Sequence, residues 1–266
     1  MFCVKKKHST AIHIMQSLGN TNKQVILACL LTGQFDVNRN DTLPNDDFEL
    51  VRSWAISIQR TGLHGILFHN TFSEETQKKY TNENLSFVRV DNTTTLNANV
   101  YRYFVYLEYL CKEGLHFTDV FATDVSDVVV IANPFVDPFY MDHPASIFCG
   151  DEPKTLANSW MREHSTHLRN TVPNFVEYER KYADAPLLNC GIIGGKTNRF
   201  INFLEKICAV HQEYNMHNVS AYTGDMAAFN FVMRTQFEHQ LKHGFPINTV
   251  FKENQINRQD CWFRHK

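Results

Sequence analysis

The sequence predicts an α/β fold: one domain, with a sheet of parallel strands flanked by helices. Short apolar runs alternate with helix-period segments along much of the 266 residues, the pattern left by parallel strands joined through helical crossovers. The run Val25-Ile26-Leu27-Ala28-Cys29-Leu30-Leu31 is apolar at every position, as a strand covered on both faces must be. No internal repeat or low-complexity linker divides the chain, so one domain is expected, long enough to bury a substantial core.

The elements follow in order. Residues 1–23 are polar and aperiodic and read as a loosely held tail. The first strand ends at Thr32-Gly33. Phe48 to Arg60 has helical spacing, with Leu50, Val51, Trp54 and Ile58 on one side and Gly62 as the stop. Gly65 to Phe68 is the second strand, and Ser73-Glu74-Glu75-Thr76 starts a helix. Leu85 to Val90 is the third strand, Asn99 to Lys112 an aromatic-rich helix ending near Gly114, and Val120 to Ala122 the fourth strand. Beyond it the pattern loosens. Ser146 to Gly150 reads as a short strand, residues 151–186 as charged and irregular, and Leu187 to Gly195 as a strand running into a glycine pair. Arg199 to His211 and Asp225 to Arg234 read as helices.

Composition removes several function classes. The formal net charge of −2 gives no basic surface for nucleic acid, and Lys5 to Lys7 are too few and too terminal to supply one. No run approaches the roughly 18 apolar residues of a membrane span. The seven cysteines include no CxxC pair, which argues against a zinc ribbon or a redox motif. Their scattered apolar settings point to reduced, packed thiols and a cytoplasmic location. The sequons at Asn40, Asn84, Asn92 and Asn218 would matter only in a secretory lumen.

The most informative stretch is Val120-Phe121-Ala122-Thr123-Asp124-Val125-Ser126-Asp127-Val128-Val129-Val130. An apolar run stops at two acidic residues three positions apart, and a second run leads into Asn133-Pro134-Phe135. A strand that delivers two carboxylates at its carboxyl end can hold a divalent cation beside a phosphorylated ligand. The plainer reading is a polar turn whose aspartates satisfy turn amides. Three further segments follow: Asn189-Cys190-Gly191-Ile192-Ile193-Gly194-Gly195, then Thr223-Gly224-Asp225-Met226-Ala227-Ala228-Phe229-Asn230, then His243-Gly244-Phe245-Pro246-Ile247-Asn248 with Phe251-Lys252 after it.

This ordered set resembles the nucleotide-sugar-dependent glycosyltransferases of the GT-A fold, particularly the retaining families, over about Val25 to Lys252. The acidic spacing departs from the family's D-x-D, since here it is D-x-x-D. The resemblance implies a GT-A-type, Rossmann-like mixed sheet, with a nucleotide-binding half over about 24–135 and an acceptor-side half over about 136–266. It implies a metal-dependent enzyme that moves a sugar from a nucleotide-diphosphate sugar to a hydroxyl of a glycan or other acceptor. Asp124 and Asp127 would anchor Mn²⁺ or Mg²⁺, which bridges the phosphates as a Lewis acid. Thr32, Gly33, Arg102 and Thr123 would face the nucleotide or its sugar, Arg102 through paired planar hydrogen bonds. Asn189 would meet sugar hydroxyls, and Gly191, Gly194 and Gly195 would let the backbone approach the ligand. Asp225 would lie near the anomeric carbon or the acceptor hydroxyl. His243 would contact the diphosphate or complete the metal shell, and Lys252 would neutralise the same leaving group.

Plainer roles compete for several of these residues. Arg102 can be a surface arginine or pair with Glu108, and Asp225 can be an N-cap worth about 1 kcal/mol. The glycines can serve a tight turn, and a loop histidine or lysine is often only solvated. Two other functions compete as well. A sugar-phosphate nucleotidyltransferase should show a G-x-G-x-R loop after the first strand, which Leu31-Thr32-Gly33-Gln34 lacks. A non-catalytic carbohydrate- or nucleotide-binding module would have no need of Asp124, Asp127 and Asp225 together. The absence of GxGxxG after the first strand argues against a Rossmann dehydrogenase.

Overall fold

The computed structural model describes residues 23–33, 35–36, 41–91, 94, 96–113, 116–215, 224–253 and 255–266. The tail over 1–22, the sequons at Asn40, Asn92 and Asn218, Gly114 and Thr223 lie outside the described residues.

Strand β1 (Gln24–Leu30) is followed by a small hairpin of β2 (Phe35–Asp36) and β3 (Asp41–Thr42), then α1 (Glu49–Arg60), β4 (His64–His69), α2 (Glu74–Tyr80) and β5 (Leu85–Arg89). Next come α3 (Ala98–Glu113), β6 (Asp119–Thr123), β7 (Val128–Val130), α4 (Pro138–Met141) and β8 (Ile147–Thr155). Helices α5 (Ser159–His164), α6 (Thr166–Thr171) and α7 (Phe175–Lys181) precede β9 (Pro186–Lys196), α8 (Thr197–Val210), α9 (Asp225–Gln236), β10 (Leu241–His243) and β11 (Phe263–His265).

Seven strands form one sheet in the order β10-β8-β9-β6-β1-β4-β5, with β11 paired to β7 in a separate ribbon. Strand β9 runs against both of its neighbours, and the other pairings in the large sheet are parallel. The carboxyl ends of β1, β4, β6 and β8 therefore share one edge with the beginning of β9, the edge where α/β sheets bind ligands.

Period-two alternation sorts the strand side chains onto two cores. Val25, Leu27, Val120 and Ala122 pack on the face covered by α3, α8 and α9. Ile26, Ala28, Leu30 and Phe121 pack on the opposite face against α1 and the aromatic residues Phe148, Trp262 and Phe263. Helix α1 buries Val51, Trp54, Ala55 and Ile58, as its spacing requires, while Leu50 is only partly buried. Trp54 then donates its indole N–H to Thr123 Oγ1 at 2.9 Å, tying the helix to the last residue of β6. Ser73 caps α2 by accepting from the Thr76 amide at 3.1 Å.

Three expectations are corrected here. Residues 151–186 are not irregular: they finish β8 and then form α5, α6 and α7. Helix α8 begins at Thr197, two residues earlier than expected, and continues as a wider turn through residue 215. Gly194 and Gly195 lie inside β9, paired with Phe121 and Val120, rather than in a turn beyond it.

His69 ends β4 and is 1% exposed. Its Nδ1 accepts the Phe72 amide at 3.1 Å, which requires that nitrogen to carry no proton. Burial, helped by the positive charge of Arg89, lowers its pKa to about 4. The unfolded chain therefore takes up this proton first, so the stability contribution is complete above about pH 6.5 and is lost as pH falls toward 4. Between pH 7 and pH 5 the loss from His69 is expected to be about 2 kcal/mol. Urea midpoints at the two pH values should differ less in His69→Gln than in the parent chain. Equal drops in both proteins would contradict the assignment.

Candidate functional site

Strand β6 ends at Thr123, and the Asp124 amide continues the ladder by donating to the Gly191 carbonyl at 2.8 Å. The chain then turns through Asp127 into β7. Strand β11 pairs antiparallel with β7, placing His265 opposite Val128, and the Lys266 amide donates to the Asp127 carbonyl at 3.0 Å. This ladder carries the end of the chain back to the acidic turn. Asp124, Asp127 and His265 each present a ligand atom there, all within 4.8 Å of one another.

The histidine that joins the two aspartates is thus His265, which the sequence reading did not single out. His265 Nε2 stands 3.6 Å from Asp127 Oδ2, too far for a hydrogen bond. Donor atoms of one cation lie about 3 Å apart in cis positions and about 4.3 Å in trans, given bonds of about 2.1–2.2 Å. The cluster therefore fits a single ion after small side-chain shifts. Its donor set of two carboxylates and one imidazole is a mixed oxygen–nitrogen shell. The ring is 2% exposed, and its Nδ1 has no hydrogen-bond partner among the described residues.

Arg102 projects from α3 into the same region and is buried, contrary to a surface placement. Its Nη1 donates to Asp124 Oδ1, and its Nη2 lies 3.4 Å from the Cys190 carbonyl and 4.0 Å from Asp225 Oδ2. Glu108 is not its partner, since that side chain pairs with Lys112 at 2.6 Å. Burial alone would weaken the hold of Arg102 on its proton, but the Asp124 charge overrides it and keeps the guanidinium protonated. The charge of Arg102 lets two carboxylates sit near each other in a poorly solvated place. Asp124 Oδ2 is left over and faces Gly191.

Asp225 is the first residue of α9, and Gly224 takes the N-cap position in the left-handed conformation with φ of 65°. The aspartate is therefore not the cap. It is 3% exposed, and its Oδ1 is buried with no hydrogen-bond partner among the described residues. A buried carboxylate oxygen left without a donor is costly unless a ligand or water supplies one.

Asn189 is turned inward: Nδ2 donates to Glu152 Oε1 at 2.8 Å, and Oδ1 accepts the Gly191 amide at 2.7 Å. It holds the strand that forms the wall of the site. Gly191 has no room for a side chain, because a Cβ there would lie 2.6 Å from His265 Cε1 and 2.7 Å from Asp124 Oδ2. Gly194 and Gly195 are not at this edge. Gly194 pairs with Phe121, three residues up β6 from Asp124, or about 10 Å away.

Thr32 and Gly33 do reach the ligand-binding edge. Asn70 brackets Thr32, accepting its amide at 3.0 Å and donating to its carbonyl at 2.9 Å. Thr32 Oγ1 meets Asn45 Oδ1 at 3.0 Å, and Gly33 has φ of 77°, a turn that suits glycine. The Thr123 hydroxyl is taken by Trp54 on the α1 face. His243 pairs with Asp151 (Nδ1 to Oδ2, 2.9 Å) at the far strand of the sheet, apart from the Asp124–Asp127–His265 group. Lys252 is exposed beside Phe251, whose ring lies 4.5 Å from that of His265.

No protein-family model matches the chain, and no curated protein sequence does. Solved structures do. A crystal structure of the galactosyltransferase LgtC with donor and acceptor sugar analogues aligns with a TM-score of 0.50 and 10% identity, covering 91% of this chain and 86% of that one. An active-site mutant of LgtC aligns with a TM-score of 0.52 and 11% identity over the same shares. The likeness is one of fold, and it is the GT-A-type, Rossmann-like α/β arrangement expected from the sequence. No helix among the described residues is long and apolar enough to cross a membrane.

Proposed function

We propose that this chain is a metal-dependent glycosyltransferase that moves a sugar from a nucleotide-diphosphate sugar to an acceptor hydroxyl, with retention of anomeric configuration. The observation that carries the reading is the grouping of Asp124, Asp127 and His265 at the carboxyl end of the central strand. Those three residues would hold Mn²⁺ or Mg²⁺, whose charge would stabilise that of the departing nucleoside diphosphate. Thr32 and Gly33, at the end of β1, would border the nucleoside.

Asp225 would meet the transferred sugar or the acceptor hydroxyl, since its Oδ1 is an acceptor with no donor among the described residues. In that place a carboxylate can orient a hydroxyl or stabilise positive charge developing on the ring. Arg102, in contact with Asp124 and near Asp225, would hold the two carboxylates in place. Asn189 would act through Gly191 by holding the wall of the site. Lys252 would lie on the leaving-group side. The two halves of the chain would both contribute, because His265 from the end of the chain joins Asp124 and Asp127 from the first half.

The test is donor hydrolysis over a panel of nucleotide-diphosphate sugars with Mn²⁺. At least one donor should be cleaved, with activity removed by a chelator and lowered at least about 100-fold in Asp127→Ala and His265→Ala. Asp225→Asn should lose turnover while still binding the nucleoside diphosphate. Cleavage of no donor, or undiminished turnover in all three variants, would reject the proposal.

A further inference from the structure

Helices α5, α6 and α7 form a small insertion between β8 and β9. Together with Leu156, Ala157 and Ala183 they line an open hollow of about 480 Å³ that the site described above does not use. Its wall includes Arg162, Arg169 and Arg180, with one acidic side chain, Glu179. This local excess of positive charge runs against the net charge of −2 for the whole chain.

The three arginines are not equivalent. Arg169 is a strut: it makes a two-point pair with Glu179 at 2.7 and 2.8 Å and donates to the Arg162 carbonyl at 2.7 Å. These bonds neutralise Arg169 and join α7 to the α5–α6 segment. Arg162 and Arg180 then stand at the same cavity with no carboxylate partner for either guanidinium among the described residues. Val176, 49% exposed, and Leu156 give the lining an apolar portion. Two guanidinium groups lining one hollow can each offer paired N–H donors to a phosphate, and the apolar portion can receive a carbon skeleton.

We propose that this cavity binds the phosphate group of a small soluble phosphate ester, with Arg162 and Arg180 as its two charged contacts. The site is separate from the Asp124–Asp127–His265 cluster and does not depend on the function assigned to that cluster. Arg169 and Glu179 act as positioning residues that hold the two arms of the cavity together.

The test is calorimetric titration of the full chain, at low salt, with inorganic phosphate, glucose 6-phosphate and glucose. Glucose 6-phosphate should bind, inorganic phosphate should compete with it, and glucose should not bind. Binding should weaken by about tenfold or more in Arg162→Gln/Arg180→Gln, since each lost charge-assisted hydrogen bond is worth at least that factor. Both side chains are exposed, so the variant should keep the parent melting temperature. Each single variant offers the same reading if the double one does not fold. Hydrolysis of nucleotide sugars should be unchanged in these variants, which separates failure of this inference from failure of the proposed function. No binding of glucose 6-phosphate, or equal binding in the parent and the variants, would overturn the proposal. Binding only to vesicles containing phosphatidic acid would also overturn it and assign the cavity to a lipid headgroup.

Discussion

Asp124→Ala is expected to destabilise the chain by about 3–5 kcal/mol, because it leaves a buried guanidinium without its main partner. Arg102 is 7% exposed and donates to Asp124 Oδ1. Its remaining neighbours are weaker, with Asp225 at 4.0 Å and the Cys190 carbonyl at 3.4 Å. Asp124→Asn keeps the volume and an acceptor oxygen, so it should recover a large part of that stability. Neither variant should retain Mn²⁺ affinity, because each removes one of the two carboxylates. Stability and metal binding would thus separate within one position. Arg102→Met combined with Asp124→Asn should be much less unstable than the sum of the single changes, since a buried pair replaced as a unit costs little. Urea midpoints of the four proteins check this, and strict additivity would contradict the buried pair.

The glycines of β9 yield the second large effect. Gly194→Ala would drive a Cβ against the Val120 carbonyl and to 2.5 Å from Phe121 Cγ. Both belong to the central strand β6, which cannot retreat without opening the ladder. The expected cost is about 3 kcal/mol or more, at the upper end for overpacking. Gly191→Ala meets different atoms: His265 Cε1, Asp124 Oδ2 and Asn189 Oδ1, all on side chains. Those groups can swing aside, so the fold should lose less while the cluster loses its arrangement, with at least about tenfold weaker Mn²⁺ binding. Thermal melts and metal titrations of the two variants should rank them in opposite orders. The same ranking in both measurements would contradict the placement of these two glycines.

The central strands were legible because each stretch carries enough apolar positions to declare its period. Val25 to Leu31 is covered on both faces and shows it in every residue, and Trp54 and Ile58 mark one side of α1 as buried. Asp124 and Asp127 stood out because they interrupt an apolar run at a strand end. Helices α5, α6 and α7 were missed since six or seven residues span fewer than two turns, too short for a helical period to show. His265 was missed for a different reason: it reaches Asp127 only through the pairing of β11 with β7, a contact between distant parts of the chain. The cue available was the alternation in Phe263-Arg264-His265, where the two outer residues are buried and the middle one less so. Arg102 was recognised as a site residue, but its burial and its pairing with Asp124 depend on how α3 sits against β6 and β9, which sequence spacing does not encode. Gly194 and Gly195 were drawn into the site by their place in the Asn189-to-Gly195 motif and the resemblance it carries, although antiparallel pairing carries them up the sheet.

On the proposed function, Asp124, Asp127 and His265 together hold one divalent cation that a nucleoside diphosphate then shares. Electron paramagnetic resonance of Mn²⁺ tests it directly, by titrating the parent chain and His265→Ala with and without uridine and guanosine diphosphates. The parent should bind one Mn²⁺ more tightly when its preferred diphosphate is present, and His265→Ala should lose at least about tenfold in affinity while keeping its melting temperature within a few degrees. Equal Mn²⁺ binding by the two proteins, or no effect of either diphosphate, would contradict it.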